Sequence, residues 1–488
     1  VYGRLAGKAR VCLSPLSPGA TNLVTGAAAA NLDGAPLVAI TGQVGTDKMH
    51  LTAHQYLDLI KMFEPITKRS KQIVRPDTVP EIVRIAFKYA EGNKPGAVHI
   101  DLPKNIARME TDEKPLRKIT PKPGVATQAS LAKAARLLTE AKRPVMLVGA
   151  GVIHQEMGNT IQEFAEALKI PVVNTMMAKG SIPYDHKYSM WTVGIPQRDR
   201  IDQLFDQADA VIAVGYDIVE LNPMKWNGDN HIQIIHVDQE VAHVNKNYQP
   251  VVEVVGDLRL SLEKISAMAH RQEEPVFALE LRKVIVAEHE SFAQDDSFPM
   301  KPQRILGDLQ KFLAKEDILI SDVGAHKMWI ARHYNCRKIN TCIVSNGFAS
   351  MGIAVPGAIA AKIVKPESRV LAVTGDGGFL MNSQELETAY RIGTPFVTLI
   401  LNDGGYGLIK WKQMEQYGTY CHTDFTNPDF KLLAEAMNCK GYRVEKAEDL
   451  LPVLEDAFSQ SVPAVIDCKV DYGENLKLTE QLSNIDRL

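Results

Sequence analysis

The sequence predicts an α/β protein built from three open, parallel-sheet domains, and three observations carry that prediction. Short apolar runs rich in β-branched residues alternate with helix-like stretches along the chain. Two charged, proline-containing runs interrupt the series and divide it into three segments. In the last segment, two acids end two such apolar runs, and each is followed by glycines.

The candidate strands come in order. VCLSP, PLVAITG and GAVHIDLP lie in the first segment; PVMLVGAG, PVVNT, AVIAVG and IQIIHVD in the second; ILISDVG, VLAVTG, FVTLILND and AVIDCKV in the third. They are short and nearly all apolar, as strands covered on both faces by helices are. The run METDEKPLRKITPKP (109–123) and the run from Arg271 to Pro302, which holds RQEEP and QDDSFPMKP, read as linkers or linker-rich connections. The segments are then about 1–110, 125–268 and 300–488.

Composition narrows the function. Lys and Arg total 55 against 58 Asp and Glu, with no strongly basic block, which argues against nucleic acid as a partner. No apolar run reaches the length of a bilayer-spanning helix. The six cysteines are scattered without a C-x-x-C pair, so they read as reduced core thiols of a cytoplasmic protein. The opening VYGRLAGKARVCLSPLSPGATN has no signal-peptide pattern.

RVLAVTGDGG places Asp376 beyond the end of one strand, and FVTLILNDGG places Asp403 beyond another, 27 residues later. That interval has room for one crossover helix, with Asn382 as its cap and Glu385 as the reciprocal partner. In open parallel sheets, ligands bind beyond the carboxyl ends of the strands. Two carboxylates meeting there repel unless a cation lies between them, and Mg²⁺ suits oxygen ligands completed by phosphates. Glycines let backbone N–H groups approach phosphate oxygens. The pattern therefore points to a Mg²⁺-bridged diphosphate, against the alternative of two solvated acids in ordinary loops. A nicotinamide reading lacks its G-x-G-x-x-G here.

GDGGF followed at this spacing by NDGGYG resembles the thiamine diphosphate motif of the pyruvate oxidase and decarboxylase superfamily. SPGATNLVTG, AITGQV, DLPKN, SDVGAHKMW and SNGFASMGIAVPGAIAA resemble acetolactate synthase catalytic chains, and GENLKLTEQL resembles their FAD-independent, catabolic type. The resemblance covers essentially the whole chain. It implies a pyrimidine-binding domain over 1–110, a central domain over 125–268 and a diphosphate-binding domain over 300–488. It also implies the reaction: one pyruvate is decarboxylated and its two-carbon remainder is joined to a second pyruvate, giving 2-acetolactate and carbon dioxide. A pyruvate oxidase, a 2-oxoacid decarboxylase, an acetyltransferase and a non-catalytic thiamine- or nucleotide-binding protein are the competing readings.

By this resemblance Asp376, Asp403 and the Gly405 carbonyl ligate Mg²⁺, with Asn402 the substitute if the register shifts by one. Gly324, Ala325, His326, Gly375, Gly377, Gly378 and Tyr406 line the diphosphate. Ala349 and Met351 offer backbone groups to the pyrimidine, and Met351 holds the cofactor bent. Pro18, Gly19 and Asn22 meet the cofactor from the first domain. Gln55 and Lys104, with His54 near them, match positions beside substrate, and Lys104 would favour a carboxylate. Taken singly, His326, Met351, Gln55 and Lys104 read equally as loop or core residues.

The family's catalytic glutamate is expected before Val1, upstream of the segment matching Val1–Arg4. FAD is not expected. The run aligned with the family's flavin-contacting stretch, VGYDIVELNPMKWN, has no arginine pair, and the glycine turn LVGAGV reads as structural. The resemblance further implies a homodimer or homotetramer with active sites between subunits.

Overall fold

The computed structural model describes residues 1–119, 123–194, 200–291 and 295–475. The chain forms two compact units: Val1–Gly124 with Gly347–Ala349, and Val125–Asn346 with the chain from Ser350 onward.

The first unit holds one four-stranded sheet: β1 (Arg10–Ser14), β2 (Leu37–Gln43), β3 (Arg69–Gln72) and β4 (Ala97–Pro103), in the order β1-β2-β4-β3. The second unit holds two six-stranded sheets. One contains β5 (Pro144–Val148), β6 (Val172–Asn174), β7 (Ser189–Thr192), β8 (Ala210–Val214), β9 (Gln233–Asp238) and β10 (Val252–Val255), in the order β10-β9-β8-β5-β6-β7. The other contains β11 (Ile318–Ser321), β12 (Cys342–Val344), β13 (Val370–Gly375), β14 (Val397–Asn402), β15 (Lys440–Val444) and β16 (Ala464–Lys469), in the order β12-β11-β13-β14-β16-β15. Every strand pair is parallel. The three parallel-sheet layers are those expected from the alternating sequence.

Burial follows the strand period of two. In β13 and β14, Leu371, Val373, Leu399 and Leu401 pack into one core, while their neighbours Ala372 and Ile400 are equally buried on the other face. In the central sheet, Met146 and Val148 enter one core and Val145 and Leu147 another. In parallel α/β sheets the carboxyl ends of the strands are where loops, and hence chemistry, collect.

Sequence and structure differ in four places. Strands β3, β7, β10, β12 and β15 were not expected, and all five lie at sheet edges. Several edge strands lack the long apolar run of a central strand; β3 (RSKQ) and β15 (KGYRV) are mostly polar and partly exposed. The run from Arg271 to Pro302 is no mere linker, because Val276–Glu290 forms a 15-residue helix that buries Ala278, Leu281 and Ile285 in the central core. Asn382 does not cap the crossover helix: it ends a first helix, Asp376–Met381, and a second runs over Glu385–Arg391. Its side chain instead donates to the Gly352 carbonyl at 2.7 Å. Finally, none of the six cysteines is in a disulfide, but Cys12 and Cys421 are exposed rather than core thiols. The GENLKLTEQL stretch lies outside the described residues beyond Asn475. No helix among the described residues is long and apolar enough to cross a membrane.

Candidate active site

Three acids stand at the carboxyl ends of neighbouring strands in the third sheet, and their surroundings separate their roles. Asp322, just after β11, is 1% exposed. Its carboxylate accepts from the N–H groups of Val323 (2.7 Å), Gly352 (2.8 Å) and Ala354 (2.9 Å), so it is committed to holding the start of the helix Ala354–Val364. Burial pushes its carboxyl upward while those donors oppose the shift.

Asp376, just after β13, is equally buried. It accepts from Gly377 N–H (2.8 Å), Gly404 N–H (2.8 Å) and the Asn427 amide (2.7 Å). The bond to Gly404 brings Asp376 to the residue that follows Asp403.

Asp403, at the tip of β14, is half-buried, and burial with the nearby Asp376 charge pushes it up to about 7. Lys410 works against that shift but is itself paired with Asp424 at 3.0 Å. Gly407 lies beneath Asp403: a Cβ there would come 2.7 Å from its Oδ2 and 3.1 Å from the Tyr472 ring. Two carboxylates, one of them driven toward protonation by burial and by the other's charge, form a site that favours a cation. Among the described residues no group of three or more His, Cys, Asp or Glu is placed to hold a metal. A cation here would rely on two carboxylates, a carbonyl and ligands from outside the protein.

The orientation of Gly405 is compatible with its carbonyl as that third group. Gly405 faces Asp424 in an antiparallel bridge, in which Tyr406 N–H donates to Thr423 O (2.9 Å) and Phe425 N–H to Gly404 O (3.0 Å). Successive residues of an extended strand point their polar groups to opposite sides. The backbone of Gly405 therefore faces away from Asp424, and its N–H aids the Asp376 carboxylate. Asn402 is not placed as a substitute ligand: its amide donates to Asp467 (2.8 Å) and its oxygen accepts from Asn427 (3.0 Å).

The diphosphate-lining residues predicted from sequence also gather at this edge. His326 lies in the first turn of the helix Ala325–His333, 2% exposed, and its Nε2 is buried with no hydrogen-bond partner. Burial pushes its imidazole down to about 3. It is therefore neutral at physiological pH, with a single ring N–H to give. Gly324 lets the ring fold back, since a Cβ there would sit 2.8 Å from the imidazole Cε1. We expect Gly324→Ala to cost about 1–3 kcal/mol of stability by overpacking, measured by denaturant unfolding of the apo protein.

Gly377 and Gly378 occupy the first turn of the helix that starts at Asp376. Their lack of a side chain is demanded by the protein itself: a Cβ would lie 2.9 Å from the Tyr406 ring at 377 and 2.9 Å from Asp322 Oδ1 at 378. Tyr406 packs edge-on against Phe425, with ring centroids 5.0 Å apart. Gly375 closes β13 beside His326, 3.5 Å from its Nδ1 for an added Cβ. Met351, half-buried, lies in the loop after β12, where Gly352 is fixed by Asp322 and Asn382. Ala349 in the same loop has φ +56°, a backbone conformation unusual for a residue with a side chain.

The remaining predicted residues lie in the first unit, in the segments that follow the carboxyl ends of its parallel strands. Pro18, Gly19 and Asn22 follow β1 and open the helix Gly19–Leu32, with Pro18 and Asn22 exposed. Gln55 follows β2, exposed and at φ +60°, next to exposed His54. Lys104 follows β4 with its side chain exposed and its N–H donating to Gln43 O (3.0 Å).

Sequence reasoning missed Asp322, Asn427 and Tyr472. Asp322 carries the same signal as Asp376, an acid at a strand tip before a glycine (SDVG). Asn427 is marked only by the turn-forming Asn427-Pro428 pair, and Tyr472 by nothing local.

Comparison with known proteins agrees with this architecture. Models of the thiamine pyrophosphate enzyme family match in order: the N-terminal TPP-binding domain over residues 1–62, the central domain over 131–265 and the C-terminal TPP-binding domain over 322–468. The chain is 33% identical to acetolactate synthase of Bacillus subtilis, covering 98% of this chain and 85% of that protein. It is 35% identical to a probable acetolactate synthase large subunit of Methanocaldococcus jannaschii (99% and 85% covered). It is 33% identical to a catabolic acetolactate synthase of Raoultella terrigena (98% and 87% covered). With matches of this extent on a site of this geometry, the chain belongs to the acetolactate synthase family of thiamine pyrophosphate enzymes.

Proposed function

We propose that this chain is a catalytic subunit that joins two molecules of pyruvate into 2-acetolactate with release of carbon dioxide, using thiamine diphosphate and Mg²⁺ and without FAD. The observation that carries the reading is the pair Asp376 and Asp403, whose mutual repulsion calls for a cation at the edge where diphosphate would lie.

The residues fit such a group. Asp376, Asp403 and the Gly405 carbonyl would hold Mg²⁺. His326, neutral and with an unused buried nitrogen, would meet the diphosphate as a hydrogen-bonding partner. When bound, thiamine diphosphate supplies the electron sink for loss of carbon dioxide and the carbon nucleophile for the acceptor. The chain's part is to bind, orient and exclude water. Met351 would present an apolar side chain to the cofactor, and such surroundings favour a step in which charge disperses. Exposed Lys104 and Gln55, beyond the carboxyl edge of the first sheet, are assigned to the carboxylate of a 2-oxoacid. Pro18, Gly19 and Asn22 are assigned to the cofactor from that same edge. A homodimer or homotetramer, in which one subunit's first sheet faces another's third, would complete each site. We place the enzyme in the cytoplasm.

The test is an assay of the complete protein with pyruvate, thiamine diphosphate and Mg²⁺, with and without FAD. Acetolactate is expected, equally in both cases. Acetaldehyde or acetyl phosphate as the main product would instead mark a decarboxylase or an oxidase, and loss of activity without FAD would refute the flavin-free reading.

A further inference from the structure

The central sheet carries a second ligand-binding geometry that the reaction does not use. Its order, β10-β9-β8-β5-β6-β7, reverses direction between β5 and β8. In open α/β sheets, the crevice beyond the carboxyl ends at such a reversal is where nucleotides bind, their phosphates against the N–H groups of a glycine turn. The turn is present after β5 as Gly149-Ala150-Gly151, and its counterpart after β8 is Gly215-Tyr216.

The crevice is filled from within. Glu220 is 5% exposed, and its carboxylate accepts from Ala150 N–H (3.0 Å to each oxygen), the Thr175 hydroxyl (2.6 Å) and Asp217 N–H (3.2 Å). These three donors come from the loops after β5, β6 and β8 and converge on one anion. The walls leave no further room. A Cβ on Gly149 would lie 2.8 Å from Glu220 Oε1 and closer still to Gly215 O and Tyr216 Cα, and one on Gly151 would lie 2.7 Å from Gly215 Cα. A flavin dinucleotide does not fit here, because its phosphate position holds a carboxylate and the two loops are in backbone contact.

We infer that Glu220 is a built-in anion that takes the place of a nucleotide phosphate in the central domain, turning a cofactor crevice into a permanent structural joint. The joint reaches the candidate active site. The Glu220 carbonyl accepts from the Asn346 amide (2.8 Å), and the Asn346 oxygen accepts from Lys327 Nζ (2.9 Å), next to His326 on its helix. A charge filled internally cannot be lost by dilution, so the brace holds whatever the nucleotide supply.

The test uses the full chain loaded with thiamine diphosphate and Mg²⁺, so that the other anion site is occupied. Wild-type holoenzyme should show no flavin quenching with FAD and no Tm shift with ADP or inorganic phosphate beyond that of chloride at matched ionic strength. Glu220→Ala should melt several degrees lower and recover part of the loss with phosphate or ADP, but not with chloride. Binding of FAD or ADP in the crevice of the wild type would overturn the proposal, as would a folded E220A that ignores both anions. Should E220A fail to fold, Glu220→Gln decides. It keeps the size and one acceptor, so a Tm several degrees below wild type supports a required charge, and an unchanged Tm overturns it.

Discussion

Asp376→Asn is expected to lower activity at ordinary Mg²⁺ and cofactor concentrations by at least about 100-fold, since even outer partners of a metal ligand change metal affinity by about 10–100-fold. Two losses act together. The side chain gives up its charge, so the pair Asp376 and Asp403 no longer attracts a divalent ion strongly. It also turns an amide NH₂ toward at least one of the donors Gly377 N–H, Gly404 N–H and Asn427. An unsatisfied buried donor costs about 1–3 kcal/mol. The loop bearing Gly404 and Gly405 would loosen, and with it the third ligand. Titration of apo D376N with Mg²⁺ and thiamine diphosphate, followed by intrinsic fluorescence beside the activity assay, measures both effects. Wild-type affinity in D376N would show that Asp376 does not touch the cation.

The second large effect is a pH dependence of cofactor loading that originates at Asp403. Its carboxyl is raised from 3.8 to about 7 by burial and by Asp376, so below pH 7 the cation must displace a proton. Apparent Mg²⁺ affinity should therefore weaken roughly tenfold from pH 8 to pH 6 and change little above pH 8. The sign for the apo fold is opposite. Between 3.8 and about 7 the native state binds more protons at this site than the unfolded chain does, so this group's contribution to apo stability falls as pH rises through that window. Asp403→Asn keeps an oxygen ligand and removes the ionisable group. It should flatten the Mg²⁺ profile between pH 6 and pH 8 and remove the apo trend. Calorimetric titration at three pH values, with both proteins, distinguishes this from a general effect of pH on the fold.

Much of this was legible in the sequence, for reasons that also mark where reading stopped. Central strands such as VLAVTG and FVTLILND are buried on both faces and write themselves as apolar runs; edge strands such as RSKQ answer to one neighbour and need no such run. Asp376 and Asp403 were visible because strand tip, acid and glycine are contiguous. The division of labour between them and Asp322 was not. It depends on which N–H groups reach each carboxylate, and Gly352, Gly404 and Asn427 are brought there only by folding. The glycines at 377 and 378 were read as making room for phosphate, whereas Tyr406 and Asp322 already require their bareness. Glu220 lay unnoticed in the run examined for arginines, because a buried carboxylate in place of a ligand has no motif.

The clamp on Gly352 has a consequence for how this enzyme could diversify. Its N–H is given to Asp322 and its carbonyl receives Asn382, so the main chain beside Met351 is fastened from both sides. The side chain at 351 is thereby uncoupled from the task of shaping its own backbone. Leucine, isoleucine or phenylalanine could replace it with little penalty to folding, and, if the proposed cofactor position holds, would redraw the contour offered to the thiamine ring, making this position a natural point of drift between one substrate preference and another.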